Sequence, residues 1–418
     1  MQESIYSIRR GDISFFSNSI AFLLAETGYE LDPNYLNYEE DFNSIYFGVN
    51  KCVNQILLRN GEMLKMHRLC NLIIDSDFNL HKEKRKSGLH FNNFDDYYGK
   101  LLDVMEKIKN NSQSSDRLSQ YGMVTTISRG YDAPCASVVA HEIGCDVAVT
   151  LGTPIKYIND KGTEIAQQLG FSSIIEGDGD VYRNNSELWE AENSASGATG
   201  CQVQFNVFEK YYHDCLLFVG VRGDSLWNKN AIGVNNDMDY LYLETDADLN
   251  FEHYYRTNTI VINLPMFGAD VWSEIHRISN SEEMKPWCTN NDYDRPIPRR
   301  IIESKGIARH AFGYKKMGAG FSLHFETLYS LRKKMSPTSY ESLLKYKKTL
   351  KRNKLKYCSY VIKYYLSHYR IYVNYIMNRL RIPRLFKSGS TKYMSSPISS
   401  LLILWGMNEM VKRYKKAL

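Results

Sequence analysis

Gly122-Met-Val-Thr-Thr-Ile-Ser128-Arg129-Gly130-Tyr131-Asp132-Ala133-Pro-Cys-Ala-Ser-Val-Val-Ala-His-Glu-Ile-Gly144 sets a β-branched run, a tight polar turn and a small-residue segment in succession. The run 124–127 predicts a strand, and the segment after the turn has helical spacing that ends at Gly144, a glycine suited to the C′ position. A second apolar run, 145–151, follows at once, so the unit reads as strand, helix and parallel strand. In such units ligands sit at the carboxyl ends of the strands, where turn N–H groups and a helix N-terminus attract phosphate.

The same alternation continues outward. Residues 160–170 read as a helix closed by Gly170 and 172–176 as a third strand, while 216–220 is an apolar strand running into Val221-Arg222-Gly223-Asp224-Ser225. Residues 260–264 suit a short strand or helix. This succession predicts an α/β fold with an open, mostly parallel, doubly wound sheet and helices on both faces. Asp224 follows a glycine at a strand end much as Asp132 does, and two such aspartates can share one magnesium ion. Upstream, 1–110 reads as an α+β domain with a helix at 20–24, a hairpin around Asn60-Gly61 and a helix at 101–108, closed by a polar linker at 110–116. The α/β domain spans 118–325. Near its end Arg299, Arg300 and Arg309 stand among prolines and glycines, a setting that suits phosphate or carboxylate binding in forked pairs. A polar span at 177–200 holds the start of a helix at 184–192.

Composition narrows the class. The chain has 418 residues, 43% of them hydrophobic, with net charge +5, which fits a globular protein of two or three domains. Its eight cysteines are scattered without ligand spacing, arguing against a disulfide framework and a zinc site and for a reducing, cytoplasmic setting. No signal-peptide core or apolar run of membrane-spanning length is evident. The basic region 326–418 alternates Lys and Arg with Tyr, Leu and Ile, and Glu341 is the only acidic residue from 332 to 387. It reads as amphipathic helices, with a last helix at 397–414 apolar enough to pack back on the α/β domain. Such helices cover a domain with their Lys stems, or else bind nucleic acid or an anionic membrane surface; nucleic acid is not expected as a partner.

Ser128-Arg-Gly130-Tyr-Asp132-Ala133 resembles the Ser-Gly-Gly-x-Asp-Ser phosphate loop of the asparagine synthetase class of PP-loop ATP pyrophosphatases, within the adenine nucleotide alpha hydrolase-like (HUP-like) superfamily. Residues 160–170 are similar to that family's D-x(n)-A-x-x-L-G helix, and 216–227 to its strand and G-x-G-x-D-E turn. The stretch ending Lys315-Lys316-Met-Gly-Ala-Gly-Phe321 is similar to its K-x-G-F segment. The N-terminal part looks like the later half of a glutaminase-type domain, truncated and with Gln2 where that domain has its cysteine nucleophile.

The resemblance implies an ATP- and Mg2+-dependent carboxylate-amine ligase working through an acyl-adenylate. Its partners would be a small-molecule carboxylate and an amine or ammonia, the latter from solution, a separate glutaminase or another pathway enzyme. Ser128, Arg129, Gly130, Tyr131, Asp132, Gly223 and Asp224 would hold ATP, with Asp132 and Asp224 on the metal. Lys316, or Lys315 beside it, would be the catalytic cation, and Arg299, Arg300 and Arg309 would hold substrate. Arg129, Ala133 and Ser225 depart from the motifs, and a Cβ at 129 is expected to clash if that position needs positive φ. The alternative implied by these departures is a catalytically impaired, nucleotide-binding or structural relative.

Overall fold

The computed structural model describes residues 4–49, 52–77, 79–84, 88–152, 160–197, 203–236, 251–313, 323–324, 326–380, 382–383, 385–386 and 394–417. The chain begins with β1 (Ile5–Arg10), β2 (Ile13–Ser17), α1 (Ile20–Thr27), α2 (Tyr38–Phe42), β3 (Gln55–Leu57), β4 (Met63–His67), β5 (Cys70–Ile74), β6 (Leu80–Lys84) and α3 (Phe94–Ser112). β2-β1-β4-β3 form an antiparallel sheet, and β5-β6 a separate ribbon. The expected hairpin around Asn60-Gly61 joins β3 to β4, with Gly61 at φ +88°, where only glycine sits without strain.

The next unit is β7 (Gly122–Thr126), α4 (Asp132–Glu142), β8 (Val147–Gly152), α5 (Thr163–Leu169), β9 (Ser173–Asp178), α6 (Trp189–Ala195), β10 (Cys215–Val219), α7 (Gly223–Leu226), α8 (Phe251–Thr257), β11 (Thr259–Asn263), α9 (Trp272–Ser279) and α10 (Pro296–Glu303). Its five strands are all parallel, in the order β9-β8-β7-β10-β11, as the α/β reading requires. β10 is buried on both sides. Leu216 and Phe218 face a cluster with α3, α4, α9 and α10, whereas Leu217 and Val219 face one with α8 and the tight 3-10 turns of Val203–Tyr211. Each such side chain contributes about 1.5–3 kcal/mol by leaving water. Gly144 and Gly170, at φ +96° and +88°, end their helices as expected.

Two placements differ from the sequence reading. Residues 94–112 form one long helix, and Phe94, Tyr97, Leu101 and Met105 of that helix join the cluster beneath the parallel sheet. α3 therefore packs with the α/β unit although it precedes the polar linker, because its apolar stripe finds α4 rather than the antiparallel sheet. The helix expected at 184–192 begins at Trp189, after a single 3-10 turn at Val181–Asn184.

The chain closes with α11 (Leu328–Lys334), α12 (Pro337–Thr349), α13 (Lys354–Arg379) and α14 (Pro397–Ala417). α14 packs on α6 of the α/β unit, but equally on α1 and the antiparallel sheet, completing a cluster in which Leu24, Leu64, Ala191, Leu402 and Trp405 are all buried. Gly406 lets α14 approach α6 closely; a Cβ there would lie 2.5 Å from the Ala191 carbonyl oxygen and 2.7 Å from the Ala195 nitrogen.

A charged cluster joins the three parts. Fully buried Glu192 on α6 accepts hydrogen bonds from Arg256 Nε (2.6 Å), His253 Nδ1 (2.9 Å) and Arg413 of α14. Next to it, Glu252 on α8 accepts from Ser19, the N-cap of α1, at 2.6 Å and from Tyr414 of α14 at 2.8 Å. Burial alone would push the Glu192 carboxyl up, but the hydrogen bonds and charges of His253 and Arg256 hold it down to about 2.

Alanine usually stabilises a helix over glycine by about 1 kcal/mol. Here Gly406→Ala is expected instead to destabilise by about 1–3 kcal/mol because the added carbon meets the α6 backbone; a melting temperature that stays or rises would refute this packing. Because the folded carboxyl of Glu192 is depressed below its ordinary value of 4.5, its stabilisation is present above that value and is lost as pH falls toward about 2. Urea unfolding of wild type should therefore lose on the order of 3 kcal/mol over this window beyond what Glu192→Gln loses. Parallel pH dependences in the two proteins would contradict the assignment.

Candidate functional site

β7 and β10 lie side by side, and from this pair the chain moves outward in opposite directions, to β8 and β9 on one side and to β11 on the other. Such a switch point leaves a crevice outside the carboxyl ends of the strands. The turn 128–131 after β7 and the turn 220–222 after β10 meet there. A Cβ on Gly220 would fall 2.2 Å from the Asp132 carbonyl carbon, and one on Gly223 would fall 2.3 Å from Asp132 Oδ1. Asp132 opens α4 in this clasp, and Tyr131 before it offers no side-chain cap to the helix end. The first-turn N–H groups of Asp132 and Ala133 precede the helix's own hydrogen-bond ladder, and Pro134 has no N–H.

A third wall comes from the start of α5. Ser128 pairs with Lys161 in a single antiparallel bridge, and the Arg129 N–H donates to the Asp160 carbonyl (3.2 Å) and carboxylate (3.1 Å). A Cβ at Gly162 would come within 2.8 Å of the Ser128 nitrogen. Asp160 is buried, and that burial pushes its carboxyl up against the opposing pull of the Arg129 hydrogen bond and charge. Lys161 Nζ meets Glu176 of β9 at 2.6 Å. Ser128 Oγ accepts the Gly130 N–H at 3.3 Å and so shapes the turn from within.

Tyr131 fastens the turn from beneath. Its ring is fully buried against Tyr293 (4.9 Å between centroids) and edge-on to Phe312 (5.8 Å). The Arg299 guanidinium lies 4.9 Å from the Tyr131 ring centre and 5.0 Å from that of Phe312, donating to the Tyr131 hydroxyl and to Glu303 at 2.9 Å. Gly313, at φ +66°, donates its N–H to the Arg129 carbonyl at 2.9 Å, and a Cβ there would press 2.4 Å from the Tyr131 ring. Burial pushes the Tyr293 phenol up, with the charge of Asp132 adding to it.

Ser128, Arg129, Gly130, Tyr131, Asp132, Gly223 and Asp224 thus share one corner, though Tyr131 turns its side chain into the core. The arginines expected to hold substrate have other partners. Arg299 is 2% exposed and props the turn from below. Arg300 bonds Asp95 (2.9 Å) and Glu283 (3.1 Å) while its guanidinium lies 3.9 Å from the Phe94 ring centre, fastening α10 to α3. Arg309 pairs with Glu303 at 2.9 Å and with the Pro286 carbonyl at 2.7 Å. Lys315 and Lys316 lie outside the described residues.

Arg129 does not adopt positive φ, so the clash expected of its Cβ does not arise, and its guanidinium turns toward the Ala311 carbonyl (3.4 Å) and Glu164 (3.9 Å). The strained residue is Arg222 in the partner turn, at φ +67°, a conformation that costs a non-glycine residue about 1–2 kcal/mol. Among the described residues no group of three or more His, Cys, Asp or Glu is arranged to hold a metal.

Nothing local in the sequence marks Gly220 and Gly162, whose lack of a side chain permits the close approach of the turns. Nor does it mark Arg295, 5% exposed, which donates to the Asp224 carbonyl at 3.0 Å and to Asn228 at 2.8 Å. In the sequence Asp160 stands out only as the first residue of a helix. No family model matches the chain, and none of the curated proteins matches it.

Substitutions at two glycines separate structural need from motif. Gly220→Ala should cost about 1–3 kcal/mol in chemical denaturation, since its Cβ would strike backbone. Gly130→Ala should stay within about 0.5 kcal/mol, its nearest neighbour being Ser128 Oγ at 3.6 Å. The reverse ranking would show that the corner is assembled differently.

Proposed function

We propose that this corner binds ATP with magnesium and that the protein joins a carboxylate to an amine in the manner of asparagine synthetase-like ligases. The observation that carries the reading is the clasp of Asp132 between Gly220 and Gly223, at the place where a parallel sheet of this order receives phosphate groups. Bound ATP would supply the leaving pyrophosphate, and magnesium would neutralise phosphate charge.

The chain's own part is positioning. Ser128 and the N-terminal turn of α4 would receive the phosphates. Asp132 and Asp224 would hold the metal, one from each turn. Tyr131 and Arg299, locked beneath, would keep the turn from shifting as charge develops above it. Lys316, with Lys315 next to it, is assigned the role of cation by the sequence resemblance. The amine would be free ammonia, an external amine or ammonia delivered by a partner. The described cysteines are all free thiols, in keeping with a reducing compartment.

A second reading is nucleotide binding without turnover. Ala133 and Ser225, which remove a hydroxyl and an acidic group from the family pattern, favour it, as does the Arg129 guanidinium being turned toward Ala311.

Pyrophosphate release from ATP and magnesium, with ammonia and a library of small carboxylates, tests the ligase. Release is expected, and Asp132→Ala should abolish it. Calorimetric binding of ATP without release by any carboxylate would leave the second reading in place, and absence of binding would eliminate both.

A further inference from the structure

α13 has 26 residues, a length of about 39 Å, and little of it is covered. Its buried residues are Ser367 and Asn374, and Tyr360 on the same edge donates to the carbonyls of Ser395 (2.9 Å) and Leu36 (3.3 Å). Residues 360, 367 and 374 recur every seven positions, so this edge of the helix is tethered along its length. On the opposite side Leu355, Ile362, Tyr369 and Ile376 recur with the same spacing and are 83%, 61%, 62% and 37% exposed. Tyr365 and Tyr372 widen this stripe and are likewise exposed. The helix contains Lys354, Lys356, Lys363, Arg370 and Arg379 and no acidic residue.

An apolar stripe of this length is rare on a protein that leaves it in water. We propose that α13 is a docking face for an anionic lipid bilayer and lies in the plane of the membrane interface. Three features fit this partner. The helix carries no carboxylate of its own, and Lys354, Lys356 and Lys363 give it a positive charge that anionic headgroups attract. Tyrosines sit at the depth where ring and hydroxyl are both satisfied, and Lys stems reach from the apolar layer back to water. No described helix is long and apolar enough to cross a membrane, which makes the contact peripheral.

Other occupants fit less well. A second α13 packed along the seven-residue seam would set lysine against lysine, with no acidic residue at the flanks to pair them. A nucleic acid strand would use the tyrosines and lysines but leave Leu355, Ile362 and Ile376 against phosphate and water, since aliphatic side chains offer no stacking plane.

The test is flotation of the full chain with vesicles of phosphatidylcholine alone and of phosphatidylcholine mixed with phosphatidylglycerol. Wild type should float with the mixed vesicles and stay in solution with the neutral ones. Ile362→Ser/Tyr365→Ser/Tyr369→Ser and Lys354→Glu/Lys356→Glu/Lys363→Glu should each lower the bound fraction about tenfold, while melting temperatures, unchanged because these side chains are exposed, show that both variants fold. Equal flotation of wild type and both variants would overturn the proposal, as would wild type remaining in solution with the mixed vesicles. A concentration-dependent dimer abolished by the serine variant would also overturn it in favour of self-association, and salt-sensitive binding to single-stranded oligonucleotide without flotation would overturn it in favour of nucleic acid.

Discussion

Glu192 carries its carboxylate where no water reaches it, and the protein is arranged so that this charge is answered from three directions. Arg256 and His253 approach from α8, and Arg413 approaches from α14. A buried charge of this kind is tolerable only while its partners stay in place, and removing one leaves the others uncompensated at a cost of roughly 3–5 kcal/mol. The consequence is geometrical. α6, α8 and α14 must meet at one point, and with Ser19 bonded to the neighbouring Glu252 that point also fixes where the antiparallel sheet sits. Glu190, two residues before Glu192, is buried too but is held by neutral groups: it accepts the Ser336 N–H at 2.5 Å and the Ser339 hydroxyl at 2.6 Å at the start of α12, and burial pushes its carboxyl up. Apolar surfaces in the same region supply most of the stabilisation, but they would tolerate sliding; the ion network does not.

The corner at the ends of β7 and β10 follows a different principle. There, close approach is obtained by omission: no side chain at 220, 223 or 162. The turn after β7 is then held by what lies below it, an aromatic and guanidinium stack that ends in Glu303. The polar groups of the turn lie above the stack, and packing below it bears the mechanical load. That division explains why Arg299 is too deep to meet a ligand although it sits within the same short stretch of sequence as the arginines read as anion-binding.

Local signals were readable from the sequence, and partnerships were not. The Asn60-Gly61 hairpin, the glycines that end α4 and α5, and the alternation of apolar strands with small-residue helices are each written within a few residues, so periodicity and turn chemistry disclose them. The first strand, β1, escaped because Ile5–Arg10 mixes polar and basic residues with its apolar ones and shows its pattern only against β2 and β4. α3 was assigned by its neighbours in sequence, whereas packing assigns it to α4. Arg299, Arg300 and Arg309 looked like a set because composition records charges without recording the acids that answer them, and Glu303, Glu283 and Asp95 do so here. The corner itself was half legible: its aspartates and first turn stood out, but the glycines that let the second turn approach do not announce themselves.

The completion of one apolar cluster by elements from opposite ends of the numbering bears on how the protein is made. Ser399 of α14 bonds Glu39 across 360 positions, and the same helix closes over β1, β4 and α1. At ribosomal rates, synthesis of the intervening chain takes on the order of tens of seconds. During that interval α1 and α2 can already lie against the inner face of the antiparallel sheet, but the part that α14 covers stays open. β1 and β4 therefore wait for α14 with part of their inner face uncovered, an adhesive surface in the nascent chain until that helix has been made.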